Sequence, residues 1–357
     1  MSKFMFAGGV GTDHIKRNLE IFKSLGIESK WYGYNPFNVL FKKADYMYIN
    51  WYEAIYNGNW FTTTLYYISQ EMRLFFARLK GLKIITSFHN KEPHSHNFYR
   101  YRLRLLRASL IHADAIVIFN EHGREDLKRY LTADEIEKKA YHIPAINYIG
   151  VYPLVEHQWI SEIETRDTMK ILFYGRLDPS YKNFETLFDI ATSSGEKDVD
   201  FIFAGGAKWE PERKAMFQAK AESCPNVILR IKFIENEEMA HLLRIADVIA
   251  IPYEIESINN SGTIRLAFSY AKTIICPKIP TVENIPSDYV YTYTYDTKEE
   301  HKGKLVEQID KAIADYRSDK DALRKKGQYL LRIMETEHSF DALKEKYGKL
   351  FSDLDKL

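Results

Sequence analysis

Cysteine is scarce in this chain: Cys224 and Cys276 are the two in 357 residues, and neither has a CxxC or CxxH neighbour. That spacing excludes a disulfide framework and a Cys/His zinc site and leaves both as small buried hydrophobes. No run of about 18 uncharged apolar residues occurs, so no membrane-spanning helix is expected. The opening residues MSKFMFAGG lack the charged and apolar regions of a signal peptide, so a cytoplasmic location is expected. A surplus of charge is missing too, with 50 Lys and Arg against 49 Asp and Glu. The basic residues compose no RNA-binding motif, and no nucleic-acid partner is expected.

What the chain has in quantity is apolar and aromatic material, 45% and 14% of its residues. That is enough for two cores, and the length suits two domains. Charge is divided unevenly between them. Residues 1–150 hold 21 Lys and Arg against 14 Asp and Glu, the remainder 29 against 35, and the basic part also has seven of the eleven histidines. Such asymmetry suits one domain to an anionic surface or substrate.

The most informative stretch is ILFYGRLDPSYK, residues 171–182. Four apolar residues form a buried strand that runs into Gly175 and Arg176, and a helix follows from Asn183. At the carboxyl end of a parallel strand, such a glycine lets a diphosphate approach the backbone while Arg176 and Lys182 supply charge. Strands and helices then alternate: strand 201–204, helix 209–222, strand 227–231, helix 236–246 and strand 248–251. This pattern predicts a parallel sheet covered on both faces. A second loop, residues 254–263, carries Glu254 and Glu256 and ends in Asn260, Ser261, Gly262 and Thr263 as a helix opens. Amides at that helix start suit an anion, and the acidic pair suits sugar hydroxyls. Strand 273–276 completes the edge, and residues 298–357 are charged and helical.

The first half is less distinctive. Strand Lys3–Ala7 leads through Gly8, Gly9, Val10 and Gly11 to a helix. A dinucleotide fingerprint would need a third glycine where His14 stands, so a nicotinamide cofactor is disfavoured. Further strands are expected over 27–33, 45–51, 82–88 and 115–119, with a long aromatic helix over 61–80. His89 stands at the carboxyl tip of its strand, beside Asn90 and ahead of Pro93 and His94, where an α/β enzyme places chemistry. In helix 97–112, Tyr99, Leu103, Leu106 and Leu110 form an apolar stripe, and Arg100, Arg104 and Arg107 share a ridge. The ridge suits a solvated basic face or a grip on anionic lipid or pyrophosphate.

These residues resemble a known pattern, the GT-B arrangement of sugar-nucleotide glycosyltransferases. It comprises two Rossmann-like α/β domains facing across a cleft. Residues 168–290 are similar to the group 1 (family 4-like) domain in Gly175, Arg176, Leu177 and Lys182, in Glu256 and Gly262, and in the strand Thr273, Ile274, Ile275, Cys276. The resemblance implies a nucleoside diphosphate sugar as donor substrate, held by Gly175, Arg176, Lys182 and Asn260 to Thr263. It implies a retaining hexosyltransferase, with His89 and Glu256 as catalytic residues. Gly9 and Gly11 match an acceptor-side loop, and His94, Arg100, Arg104 and Arg107 are acceptor-side candidates. The family's two glutamates are incomplete here: the second falls on Ala267, and the first fits Glu256 or Asn259 according to the direction of counting. Neither a metal nor another cofactor is expected, since no Asp-x-Asp cluster is read in the sequence and two cations and a row of amides can take a metal's place.

The implied layout is an acceptor-binding domain over 1–150, a linker over 151–168 and a nucleotide-sugar-binding domain over 169–337. A helix over 338–357 crosses back to the first domain. The implied acceptor is lipid-linked or a growing polysaccharide, with contact to an anionic inner membrane surface. An epimerase of the same fold and a non-catalytic docking protein are the alternatives.

Overall fold

A computed structural model describes residues 3–7, 13–30, 33, 35–55, 58–93, 97–178, 180–255 and 258–356. The described chain divides into two compact units. One comprises Met1–Ile146 with Glu337–Leu357, the other Asn147–Thr336.

The first unit is built on six parallel strands: β1 (Lys3–Ala7), β2 (Ile27–Lys30), β3 (Tyr46–Asn50), β4 (Lys83–Phe88), β5 (Ala115–Ile118) and β6 (Ala140–His142). They lie in the order β2-β1-β3-β4-β5-β6, so the direction of winding reverses between β1 and β3. The middle strands are buried on both faces, which is why they read as continuous apolar runs rather than alternating ones. Helix Phe340–Leu354 belongs to this unit. It buries Leu343, Tyr347, Leu350 and Phe351 against Met5, Phe22, Tyr46 and Tyr48. Phe22 meets Tyr347 and Phe351 edge-on at 4.8 and 5.3 Å, the T-shaped arrangement that aromatic rings favour.

The second unit repeats the plan with β7 (Met169–Tyr174), β8 (Val199–Ala204), β9 (Val227–Arg230), β10 (Val248–Ala250), β11 (Thr273–Pro277) and β12 (Tyr291–Tyr293). Their order is β12-β11-β10-β7-β8-β9, all parallel. Successive residues of β7 enter opposite cores. Ile171 and Phe173 pack under the helices on one face, while Leu172 and Tyr174 pack on the other. Winding reverses between β7 and β10, and such a reversal opens a crevice at the carboxyl ends of the two strands.

Three features differ from the sequence reading. The sheet does not end at β11, because the three-residue strand β12 extends it. Residues 147–168 lie in the second unit and carry helix Gln158–Glu164, which buries Ile160 and Ile163. In helix Tyr99–Ile111 the inward face is Arg102, Leu105, Leu106, Ser109 and Leu110, with Tyr99 and Leu103 only half-buried.

Candidate functional site

The reversal point of the second sheet gathers most of the donor-side candidates. After β7 the chain turns at Gly175, whose φ of +98° suits glycine alone at little cost. The next strand end presses against that turn: a Cβ on Gly205 would lie 1.6 Å from the Gly175 carbonyl oxygen. Lys182 comes back beside the same turn, with its Nζ 2.7 Å from where a Gly175 Cβ would stand. Its side chain is 7% exposed. Burial, joined by the nearby Arg176 charge, pulls the Lys182 ammonium down to about 8, with Asp178 opposing.

Arg176 is exposed and rests on Asp178, donating from Nε to Oδ1 at 3.0 Å and from Nη2 to Oδ2 at 2.6 Å. Burial alone would raise the Asp178 carboxyl. The Arg176 pair and the Lys208 backbone N–H outweigh it and hold the carboxyl below its ordinary value. The loop is closed against the end of β10 by two bonds, from Asn183 Nδ2 to the Pro252 carbonyl at 2.9 Å and from the Glu254 N–H to the Tyr181 carbonyl at 2.8 Å.

Helix Gly262–Ser269 starts at the same place. Tyr174, the last residue of β7, donates its hydroxyl to the Thr263 carbonyl at 2.6 Å. Ser261 caps the helix, its Oγ accepting from the Ile264 N–H at 3.2 Å and standing 3.0 Å from the Tyr253 hydroxyl. The three-amide cradle read from the sequence is smaller here, because the Ser261 N–H already donates to Thr281 Oγ1 at 3.0 Å. The amides of Gly262 and Thr263 lead the helix, where no intrahelical acceptor exists. Asn260 accepts from the buried Arg265 guanidinium, and among the described residues Arg265 Nε has no hydrogen-bond partner. Ala267, where the family's second glutamate would fall, is fully buried. Glu256 lies outside the described residues.

His89 caps β4 in the first unit and is buried. Its Nε2 is 3.2 Å from Asn50 Oδ1 at the end of β3, and its ring stacks on Trp51 at 3.8 Å. His14 and Phe119 stand around it at 6.2 and 4.8 Å. Trp51 has a left-handed φ of 45°, a conformation that costs a bulky residue on the order of 1–3 kcal/mol and so needs support from its surroundings. Gly9, Gly11 and His94 lie outside the described residues. Arg100, Arg104 and Arg107 are exposed, with Arg104 Nε 3.4 Å from Glu71.

Sequence reasoning missed Asn50, Trp51, Arg265 and Arg102. The last is buried and donates to the Glu53, Ile55 and Asn97 carbonyls. An arginine inside a basic helix gives no signal that two of its partners are the carbonyls of Glu53 and Ile55, 49 and 47 residues away. The reading that no Asp-x-Asp cluster occurs was wrong, since three such triplets stand at 198–200, 319–321 and 353–355. Asp198 pairs with Arg317, Asp200 with Arg166, Asp319 with Lys325, Asp321 with Arg324 and Asp353 with Lys356. Among the described residues no group of three His, Cys, Asp or Glu side chains is placed to hold a metal ion.

No family model matches the chain. Over 141 residues it is 21% identical to a GDP-mannose:glycolipid 4-beta-D-mannosyltransferase of Xanthomonas campestris pv. campestris, covering 38% of this chain and 39% of that protein. The match thus spans about two fifths of that relative's length. Among solved structures, the chain superposes over its full length on sucrose-phosphate synthase of Thermosynechococcus elongatus, with a TM-score of 0.68 at 13% identity and all of that chain covered. It covers 99% of its own length and all of Anabaena HepE in complex with UDP and glucose, with a TM-score of 0.65 at 13% identity.

Proposed function

The chain has the GT-B fold, and on that premise we propose that it transfers a hexose from a nucleoside diphosphate sugar to a lipid-linked or growing polysaccharide acceptor. The reading places it at the cytoplasmic face of a membrane in surface polysaccharide assembly. The observation that carries it is the convergence of Arg176, Lys182 and the start of helix Gly262–Ser269 at the reversal point of one parallel sheet.

The donor diphosphate would take the charge of Arg176 and Lys182 together with the Gly262 and Thr263 amides. Preorganised positive charge there lowers the barrier to departure of the nucleoside diphosphate, a contribution of several kcal/mol in a site shielded from water. Asp178 aims the Arg176 fork before the ligand arrives. Glu256 and Asn260 serve the sugar hydroxyls. If the configuration inverts, His89 is the base that takes the acceptor proton, with Asn50 fixing its ring. In the retaining reaction that the resemblance favours, His89 positions the donor, and a donor phosphate oxygen takes that proton. The mannosyltransferase likeness and the UDP and glucose bound by HepE support the donor class.

The test is a thermal-shift screen of UDP-, GDP- and dTDP-sugars on the full chain, repeated with Arg176→Ala and Lys182→Ala. One donor should raise the unfolding midpoint of the parent and neither variant should respond. Equal shifts in all three proteins would sink the assignment.

A further inference from the structure

Helix Trp60–Leu79 is built inside out. It buries Thr63, Gln70, Arg73, Leu74 and Ala77, most of them polar or small. The inward polarity is used: Gln70 Oε1 accepts from Arg73 Nη1 at 2.8 Å and its carbonyl from the Tyr52 hydroxyl. On the opposite side, Phe61, Leu65, Ile68, Phe75 and Leu79 stand 45 to 65% exposed. At about 100° per residue these five fall on one line facing away from the buried set. An ordinary surface helix has the reverse polarity. A contiguous apolar ridge left in water marks an interaction site.

Both margins of the ridge are cationic. On one side, helix Phe37–Phe41 is seated by the Phe37 ring on Phe76 at 5.6 Å and by Lys80 Nζ on the Val39 carbonyl at 3.2 Å. It adds Phe37 and Phe41, 48 and 77% exposed, and the exposed Lys42 and Lys43 follow. On the other side, helix Tyr99–Ile111 is joined through the Tyr67–Tyr101 stack at 4.5 Å and presents Arg100, Arg104 and Arg107. With Arg78 this makes six exposed cations along the two margins, of which Arg104 pairs with Glu71.

We infer that this face seats on an anionic phospholipid bilayer, with the aromatic and aliphatic ridge entering the acyl boundary and the cations meeting headgroup phosphates. Amphipathic surfaces of this composition bind at that depth, and each basic residue adds to the attraction. A second copy of the chain suits the face poorly, since a two-fold contact would set the same cations against one another. Binding here requires no nucleotide sugar, so it stands or falls separately from the donor assignment.

The test is cosedimentation of the full chain, without donor, with phosphatidylcholine vesicles and with equimolar phosphatidylcholine and phosphatidylglycerol vesicles. The parent should partition to the anionic vesicles roughly tenfold more strongly than to the neutral ones. The combined Phe61→Gln, Leu65→Gln, Phe75→Gln variant, and separately the Arg100→Ala, Arg104→Ala, Arg107→Ala variant, should each lose roughly tenfold of that binding. Unchanged circular dichroism and unfolding midpoint control for folding, since these side chains face outward. A parent that stays in the supernatant overturns the inference, as does an apolar variant that pellets like the parent. Light scattering that shows a dimer abolished by the apolar changes, with no vesicle binding, would assign the ridge to self-pairing instead.

Discussion

The two edges of the second sheet hold similar parts and put them to different uses. At the carboxyl edge, Lys182 is buried beside a glycine turn and close to Arg176, and its ammonium is pulled down to about 8. At the amino edge, Lys272 is also pulled to about 8 by burial, with Asp247 opposing, yet its Nζ donates to the Arg244 and Ala246 carbonyls at 3.0 and 2.7 Å. Each edge also has a glycine that admits a close approach. A Cβ on Gly205 would lie 1.6 Å from the Gly175 carbonyl oxygen, and one on Gly327 would lie 1.8 Å from that of Ala271. The amino edge meets its polar groups from within the fold. The carboxyl edge concentrates positive charge where an anionic ligand would relieve it, a division between stability and function that parallel sheets commonly show.

The glycine pair should give the largest effects. Gly205→Ala and Gly327→Ala each place a methyl within bonding distance of a backbone oxygen, and each should destabilise by about 3 kcal/mol or more in urea unfolding. They should part in the donor assay: the Gly327→Ala protein that remains folded keeps its donor shift, and the Gly205→Ala protein loses it because the Gly175 turn must move.

The lysine pair sharpens the contrast, because the same substitution should act with opposite sign. Lys182→Met removes a buried cation whose displacement from 10.5 to about 8 corresponds to a cost on the order of 3 kcal/mol. It should raise the unfolding midpoint at pH 7 while weakening donor binding roughly hundredfold. Lys272→Met leaves the Arg244 and Ala246 carbonyls without this donor and Asp247 without a neighbouring cation, and should cost about 1–3 kcal/mol with donor affinity intact.

A pH series separates the edges further. Lys182 is charged below about pH 8, so donor affinity at pH 9 should be roughly tenfold lower than at pH 7, and Lys182→Arg should flatten that dependence in calorimetry. For stability the sign is reversed. The folded form holds this proton less tightly than the unfolded chain does, so the penalty is complete below about pH 8 and fades toward 10.5. The smallest expected effect is Ala271→Gly. Ala271 has a left-handed φ of 55°, and glycine should stabilise by about 1 kcal/mol without touching donor binding.

The alternation of strands and helices in the second half was legible because strands covered on both faces appear as unbroken apolar runs. Gly175, Arg176 and the Ser261 cap announced themselves through local turn and cap chemistry. The short strand β12 did not, since Tyr291–Tyr293 has too few residues to establish a period and is placed by pairing with β11. The Asn50–His89 contact depends on β3 lying beside β4, and adjacent strands need not be adjacent in sequence. The inverted helix Trp60–Leu79 was recognisable as an aromatic helix, but which side faced the sheet depends on tertiary contacts such as the Tyr52 hydroxyl on the Gln70 carbonyl and the burial of Leu74 and Ala77.

Helix Phe340–Leu354 completes the core around Phe22 and Tyr48 from the far side of a 190-residue excursion, Asn147–Thr336. On the ribosome, the sheet of the first unit must therefore wait, with an aromatic face open to water, until residues 340–354 have emerged. A chain halted before this helix would present that face to chaperones and proteases.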